Sequence, residues 1–381
     1  MKKMTDFNLY KKKILIRMDL NVPIHNGKIT SHARIKKSIP TIKLALSYNA
    51  KIIIASHLGR PKEGVYDKKY SLFPIFKYLQ KKIKKVSIHF EKNYLNGLSL
   101  KNFSIILLEN VRFNIGEKTN NIQLCKKYAN LCDIFVMDAF ATSHRKEAST
   151  FGICNFVSKI CAGPLFISEI KNLNKLLLKP KKPLITIVGG SKISTKFKIL
   201  KSLLKITDYL IVGGGIANTF ISINYNVGKS LHEPKFQKKA KKLLKTNKII
   251  IPIDSKIGNS FSIHAKAYLR KLHEIKNSEE IMDIGNNTIQ YYKKIIMKAK
   301  TILWNGPIGV FEFPNFRIGT QKIAEAIVNS KAFSIAGGGD TLSVIKLFKL
   351  KNKISYISTG GGAFLEFIEK RTLPIISFLK K

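Results

Sequence analysis

LITIVGGSKISTKFKILKSLLKITDYLIVGGG, residues 184–215, holds the pattern on which the fold turns. A β-rich apolar run ends in two glycines (189–190), a segment of helical character follows, and a second apolar run ends in three glycines (213–215). Near-continuous apolar runs separated by helical stretches indicate parallel strands buried on both faces, because the helical crossovers cover the sheet. Upstream, the same alternation appears at KILIRMDLN (13–21), KIIIASHLGR (51–60), SIILLENVRF (104–113) and DIFVMDAFATSHR (133–145). Downstream it returns at IIIPID (249–254), TILWNGPIG (301–309), FSIAGGGDT (333–341) and ISYISTGGG (354–362). The expected fold class is α/β, with two doubly wound parallel-sheet lobes; a closed barrel shows the same alternation and stays open at this point. Between the halves, LFISEIKNLNKLLLKPKKP (165–183) keeps mostly helical spacing at Leu165, Ile167, Ile170, Leu173, Leu176 and Leu177, and Pro180 stops it. The predicted organisation is a first lobe at 1–165, a helix and linker at 166–183 and a second lobe at 184–364. No fixed-period repeat is visible.

Composition narrows the function classes. A length of 381 residues suits two or three domains, and 45% hydrophobic residues supply ample core. Mean hydropathy of -0.03 is ordinary for a soluble protein. The longest charge-free apolar stretch, Tyr209 to Tyr225, contains Gly213, Gly214, Gly215, Asn218 and Asn224, and reads as strand, glycine turn and helix start, not as a membrane span. No apolar leader precedes Arg17, so a cytoplasmic location is expected. Cys125, Cys132, Cys154 and Cys161 include no CxxC pair and are expected to be reduced, packed thiols.

A formal net charge of +45 raises nucleic-acid binding. Yet only eight of the 68 basic residues are arginine, and the lysines are dispersed along the whole chain. Nucleic-acid readers concentrate arginine and interleave aromatics in one segment. The charge therefore reads as compositional drift with lysines solvating the surface, and no specific nucleic-acid partner is expected.

In open α/β sheets, ligands bind beyond the carboxyl ends of the strands. First-half strands end in Asp19 and Asn21, His57 and Arg60, Arg112, and His144 and Arg145; second-half strands end mainly in glycine. Guanidinium forks hold carboxylate and phosphate at two points, whereas glycines let backbone N–H groups approach phosphates at a helix N-terminus. One half thus suits a small anionic acid and the other nucleotide phosphates. A single arginine is more simply a surface ion pair, and a lone histidine a structural one. Arg34, Arg60, Arg112 and Arg145 together indicate a shared anion site, and His57 and His144 beside them are read as facing the ligand. Arg17, inside a strand run next to Asp19, is set apart as structural. There is no GxxxxGK[ST] loop and no HRD or DFG set. Spacing alone reaches a two-lobed α/β phosphotransferase or another nucleotide-dependent enzyme.

RMDLNVP (17–23), SHLGRP (56–61), LENVRF (108–113), FVMDAFATSHR (135–145), GGSKISTK (189–196), IVGGGIANTF (211–220), LWNGPIGVFEFPNF (303–316), AGGGDT (336–341) and STGGGAFLEF (358–367) carry the reading further. In order, and across nearly the whole chain, this set resembles the motifs of the phosphoglycerate kinase family. The resemblance implies a hinge-bending, monomeric kinase without a membrane or nucleic-acid partner. Its reaction is the reversible, magnesium-dependent transfer of a phosphoryl group from 1,3-bisphosphoglycerate to ADP, giving 3-phosphoglycerate and ATP in glycolysis.

Carried over by position, the resemblance implies a 3-phosphoglycerate site at Asp19, Asn21, Arg34, His57, Leu58, Gly59, Arg60, Arg112 and Arg145. For the nucleotide it implies Lys196, Glu312 at the ribose, Gly213 and Gly214 near the adenosine, and Gly338, Gly339, Asp340 and Thr341. Asp340 would reach magnesium through the nucleotide phosphates; locally it also reads as a helix N-cap with Thr341 in the first turn. The charge stabilisers expected for transfer are Arg34, Lys192, Lys196 and the backbone N–H groups around Gly338 and Gly361. No general base is required, because the acceptor is an ionised carboxylate. Hinge closure about 165–183 is expected, with 365–381 returning to the first lobe.

Two positions depart from the family pattern. Ala141 stands where glycine is common, and a positive φ there would cost stability and shift Arg145. His32 stands where an acid or amide is frequent. A nucleic-acid binder and a degenerate structural relative are the rival readings; dispersed lysines argue against the first and the intact motif set against the second.

Overall fold

The run at 184–188 becomes the strand Leu184–Val188, with every residue buried. The run at 209–212 becomes its parallel neighbour, in register Ile185 to Tyr209 through Val188 to Val212. Between them lies the helix Ile193–Leu204, which buries Ile193, Ile199, Leu200, Leu203 and Leu204 along one stripe. The structure, a computed structural model, describes residues 1–84, 86–99 and 104–380. It comprises two compact units: Met1–Lys171 joined by the segment from Thr372, and Asn172–Arg371.

The sheet of the first unit runs Ile88–Glu91, Ile105–Leu108, Lys51–Ala55, Lys13–Arg17, Ile134–Met137, Ile160–Ala162, all parallel. That of the second runs Ile249–Ile250, Tyr209–Val212, Leu184–Val188, Thr301–Asn305, Phe333–Ala336, Tyr356–Ile357, also parallel. Both are open sheets, so the barrel alternative falls. In each, the strand order reverses beside the first strand: between Lys13–Arg17 and Ile134–Met137, and between Leu184–Val188 and Thr301–Asn305. Chain leaving the two strands at such a point diverges to opposite faces and opens a crevice, which is where ligands sit in this architecture.

A three-stranded antiparallel sheet in the second unit, in the order Tyr268–Lys271, Asp254–Gly258, Glu280–Ile284, was not anticipated from the sequence. Its edge strand YLRK is largely exposed, and its central strand DSKIG has one large apolar side chain, so no apolar run announces it.

The helix between the two halves spans Pro164–Leu177 and stops short of Pro180. Its buried stripe is Phe166, Ile170, Leu173, Leu176 and Leu177; Leu165 and Ile167 are only half-buried. Asp138, just past the strand Ile134–Met137, caps its start: Oδ1 accepts the N–H groups of Leu165 (2.8 Å) and Phe166 (3.1 Å), while Thr41 Oγ1 donates to Oδ2 (2.6 Å). The helix Gly361–Lys370 lies against Ile193–Leu204 within the second unit.

The two family departures resolve locally. Ala141 sits in a 3-10 turn, Phe140–Thr142, and is not among the residues with positive φ, so it carries no strain. His32 occupies the N-cap of the helix Ala33–Ser47 and stacks on Tyr78 at 4.5 Å, where an acid or amide would have no ring to offer.

Candidate active site

In the first unit, the loops after Lys13–Arg17 and Lys51–Ala55 interlock. Ser56 Oγ accepts the Leu20 N–H (2.9 Å) and Asn21 Oδ1 accepts the Gly59 N–H (3.0 Å). Asp19 is buried, and its Oδ1 accepts the Asn21 N–H at 3.1 Å and Arg34 Nη1 at 3.0 Å. Arg34 Nη1 also donates to the Asn21 carbonyl at 3.0 Å, which holds its guanidinium over the loop. Arg112, also buried, donates from Nη1 to the Gly59 carbonyl (2.7 Å) and from Nη2 to Glu147 Oε1 (3.0 Å). Its Nε has no hydrogen-bond partner among the described residues. Arg145 lies 3.6 Å from the same Glu147 oxygen, and its Nε donates to His144 Nε2 at 3.4 Å. Arg60 is exposed and close enough to Arg145 to oppose its charge. Leu58 buries its side chain in the core and gives its carbonyl to Asn110 Nδ2 (2.8 Å), so it shapes the loop through its backbone.

His57 is nearly inaccessible, at 3% exposure. Burial, reinforced by Arg17, Arg112, Arg145 and Arg34, holds its pKa well below the usual imidazole value, so the ring is neutral. The cluster therefore sets five guanidinium groups (Arg17, Arg34, Arg60, Arg112, Arg145) against Asp19, Glu147 and Glu117. Burial pushes the last of these up to about 7. The balance is positive, and the donors are forks: the arrangement fits an acid bearing carboxylate or phosphate.

In the second unit, a cavity of about 270 Å³ is lined by residues that include Gly190, Gly214, Asn218, Phe311, Glu312 and Asp340. Gly214 has φ +63°, and a Cβ there would fall 2.8 Å from the Gly190 carbonyl oxygen; its N–H donates to the Ile308 carbonyl at 2.7 Å. Gly213 packs just as closely on Ile308. Lys196 Nζ donates to the Gly189 carbonyl at 2.6 Å, and burial lowers its pKa to about 8 although Asp340 pulls the other way. Lys192 is exposed at the N-cap of Ile193–Leu204. Glu312 is exposed at the cavity, its backbone carbonyl accepting Arg317 Nη2 (2.9 Å).

Gly338 has φ +102° and caps the helix Gly339–Leu347. Asp340 is thus an exposed first-turn residue and not the cap that its sequence position suggested. A Cβ on Gly361, first residue of Gly361–Lys370, would lie 3.9 Å from the Gly338 α-carbon. Two helix N-termini therefore converge, and Gly339 between them faces open space. Their N–H groups and dipoles favour an anion there. The Thr341 hydroxyl is already engaged, accepting the Gly306 N–H (2.7 Å) and donating to the Gly337 carbonyl (2.9 Å). Among the described residues no group of three or more His, Cys, Asp or Glu forms a metal cage. An exposed carboxylate such as Asp340 would hold magnesium only together with ligand phosphates and water that complete its shell.

Two residues of these sites went unassigned in the sequence. Asn305 is buried, donates from Nδ2 to the Gly337 carbonyl (2.7 Å) and keeps an unpartnered Oδ1 among the described residues. Its signal was a polar residue ending the apolar run TILWN. Glu147, the carboxylate shared by Arg112 and Arg145, gave no such signal, because it follows no strand and its partners are distant or adjacent in a loop.

Known proteins match this arrangement along the whole chain. The sequence profile described as Phosphoglycerate kinase matches residues 4–371. The phosphoglycerate kinase of Buchnera aphidicola subsp. Schizaphis graminum is 60% identical over 100% of this chain and 98% of its own, and that of Buchnera aphidicola subsp. Baizongia pistaciae 57% over 100% and 96%. Among solved structures, phosphoglycerate kinase from Coxiella burnetii superposes with a TM-score of 0.93 at 47% identity, covering 99% of this chain and 98% of that one. That from Pyrococcus horikoshii OT3 superposes at 0.83 with 31% identity, covering 100% and 98%. With its motifs, its two switch-point sheets and these relatives in agreement, the chain belongs to the phosphoglycerate kinase family.

Proposed function

We propose that the arginine cluster of the first unit binds 3-phosphoglycerate and 1,3-bisphosphoglycerate, and that the glycine turns of the second bind ADP and ATP with magnesium. The activity is that of the family, phosphoryl transfer between the carboxyl group of 3-phosphoglycerate and ATP. The observation that carries the assignment is the cluster of Arg34, Arg112 and Arg145 held by Asp19 and Glu147 beside the buried His57, with Arg112 Nε left without a partner among the described residues. Asp19 and Asn21 suit the hydroxyl and backbone of the acid, and the guanidinium groups its charged ends.

The acceptor oxygen is a carboxylate, ionised at neutral pH, so proton removal is unnecessary. Positioning and charge neutralisation do the catalytic work. In this reading Arg34, Lys192, Lys196 and the N–H groups around Gly338 and Gly361 stabilise the transferring group. Glu312 meets the ribose, Gly213 and Gly214 face the adenosine, and Gly339, Asp340 and Thr341 shape the phosphate turn. Magnesium, held by nucleotide phosphates and Asp340, supplies further neutralisation of phosphate charge. In-line transfer needs the reactants in contact, so the reading includes a closing motion about Pro164–Leu177. It also includes a monomer working in the cytoplasm, a reducing compartment that suits four free thiols.

A coupled assay of ATP- and magnesium-dependent 1,3-bisphosphoglycerate formation tests the proposal. Turnover that requires both 3-phosphoglycerate and ATP is expected; binding of either without turnover would leave the degenerate reading standing.

A further inference from the structure

Arg17 stands apart from the other arginines of the cluster. It is wholly buried, at 0% exposure, at the carboxyl end of the central strand Lys13–Arg17. It makes no hydrogen bond to Asp19, its neighbour in sequence. Nε donates to Ser149 Oγ at 2.9 Å, Nη1 to the Met18 carbonyl at 2.7 Å, and Nη2 lies 3.3 Å from His57 Nδ1. Ser149 is held in turn: its hydroxyl donates to Glu117 Oε1, and its N–H donates to Glu117 Oε2 at 3.1 Å. Tyr128 donates to that same Oε2 at 3.2 Å. The result is a buried chain of four groups, Glu117, Ser149, Arg17 and His57, that ends on the imidazole.

Its direction is set by chemistry. A guanidinium has five N–H donors, no acceptor, and a charge it does not lose. The contact with His57 therefore has a single polarity: Arg17 donates and Nδ1 accepts. An imidazole whose Nδ1 lone pair is occupied carries its proton on Nε2, and a doubly protonated ring is incompatible with the contact. We infer that Arg17 is a positioning residue, which locks His57 in the neutral Nε2–H tautomer so that the ring presents a donor to an anionic substrate. Ser149 and Glu117 hold Arg17 in the orientation that does this. The opposite tautomer would point an N–H at a cation and turn a lone pair toward the acid. This inference rests on the assignment of His57 to the 3-phosphoglycerate site.

The test combines spectroscopy with kinetics on the full-length enzyme. In protein labelled with ¹⁵N-histidine, two-bond proton–nitrogen correlation reads the tautomer of His57, identified by the signal lost in His57→Gln. Wild type is expected to show Nε2–H alone. Arg17→Lys keeps the charge but loses the fork; His57 should then populate both tautomers. The KM for 3-phosphoglycerate should rise on the order of tenfold, as for loss of a hydrogen bond to a charged group. The KM for ATP should not move. Ser149→Ala leaves Arg17 in place and should shift both readouts the same way by less; with the wild-type spectrum it carries the test if Arg17→Lys does not fold. Because Arg17 acts through His57, Arg17→Lys should add nothing in a His57→Gln background.

A wild-type ring protonated on Nδ1, or fully additive effects of the two substitutions, overturns the role of Arg17. An unchanged KM for 3-phosphoglycerate in His57→Gln instead removes the substrate assignment of His57, and the inference with it. The two failures are therefore distinguishable.

Discussion

In the proposed reading, the first unit makes its anion site from side chains, and the second makes its site from backbone. In the first, each fork is aimed by a specific partner: Arg34 by Asp19, Arg112 by Gly59 and Glu147, Arg145 by Glu147. In the second, Gly214 and Gly338 take conformations that a side chain would strain, and helix N-termini supply the donors. Side-chain donors bring whole charges and need carboxylates to aim them, which dilutes the charge they deliver. Backbone donors need no counter-charge, but they depend on the turn keeping its shape. Damage to the first site should therefore show as lost charge geometry, and damage to the second as lost fit.

The largest expected effect separates charge from geometry. Arg34→Lys keeps the cation and loses the fork, and kcat should fall on the order of 10²-fold, as for loss of one preorganised donor. Steady-state kinetics with ADP affinity measured in parallel make the check; an unchanged kcat removes Arg34 from the transfer step. On the other side of the comparison, Gly338→Ala places a Cβ 2.6 Å from Asn305 Nδ2 at φ +102°. Strain of about 1–3 kcal/mol should lower Mg-ADP affinity by roughly tenfold or more, with 3-phosphoglycerate binding unaltered. Calorimetry of each ligand alone reads both.

Asp340→Ala should do less, because an exposed carboxylate contributes about 1 kcal/mol. Mg-ADP affinity should fall roughly fivefold by the corresponding conversion, again without change at the other site. If Mg-ADP binding and turnover are both unmoved, Asp340 has no part in the site. Lys196 sharpens the contrast by pH. With its pKa lowered to about 8, the ammonium is present below that value and lost above it. Affinity of the free enzyme for Mg-ADP should thus decline by a small factor, about twofold to fivefold, as pH rises through 8, and Lys196→Arg should flatten the decline. The weakest effect concerns the dispersed lysines. Polynucleotide binding in a fluorescence assay should be weak, non-selective and sharply reduced by salt, since such contacts act by counterion release. A selective, salt-resistant complex would reverse that reading.

What was legible in the sequence follows the same division. The arginines of the first unit stood out because lysine serves nearly everywhere else, and their placement after apolar runs put them at strand ends. Arg17 was set apart as structural from its place beside Asp19, but which side chains it meets was not legible, because apart from the Met18 carbonyl its partners, Ser149 and His57, lie far along the chain. The glycine runs pointed to a candidate second site but not to its contacts: that Thr341 spends its hydroxyl on Gly306 and Gly337, or that a side chain at Gly338 would meet Asn305, depends on strands brought together by the sheet order. The parallel sheets were visible because burial on both faces demands unbroken apolar runs. The antiparallel sheet at 254–284 was hidden by its exposed edge, where no such demand applies.

One more consequence lies in the route of the chain. The first unit is completed by residues after Arg371: Lys2 donates its N–H to the Leu379 carbonyl at 2.9 Å, Phe378 meets Phe151 edge-on at 5.2 Å, and Ile376–Lys380 lies against Ile160–Ala162. A ribosome makes all of 172–371 before it makes these residues. The unit begun first is therefore the one finished last, and during synthesis its strand Ile160–Ala162, paired at Ala162 with the Lys2–Lys3 segment, still waits for the helix Ile376–Lys380, while the later unit is continuous in sequence.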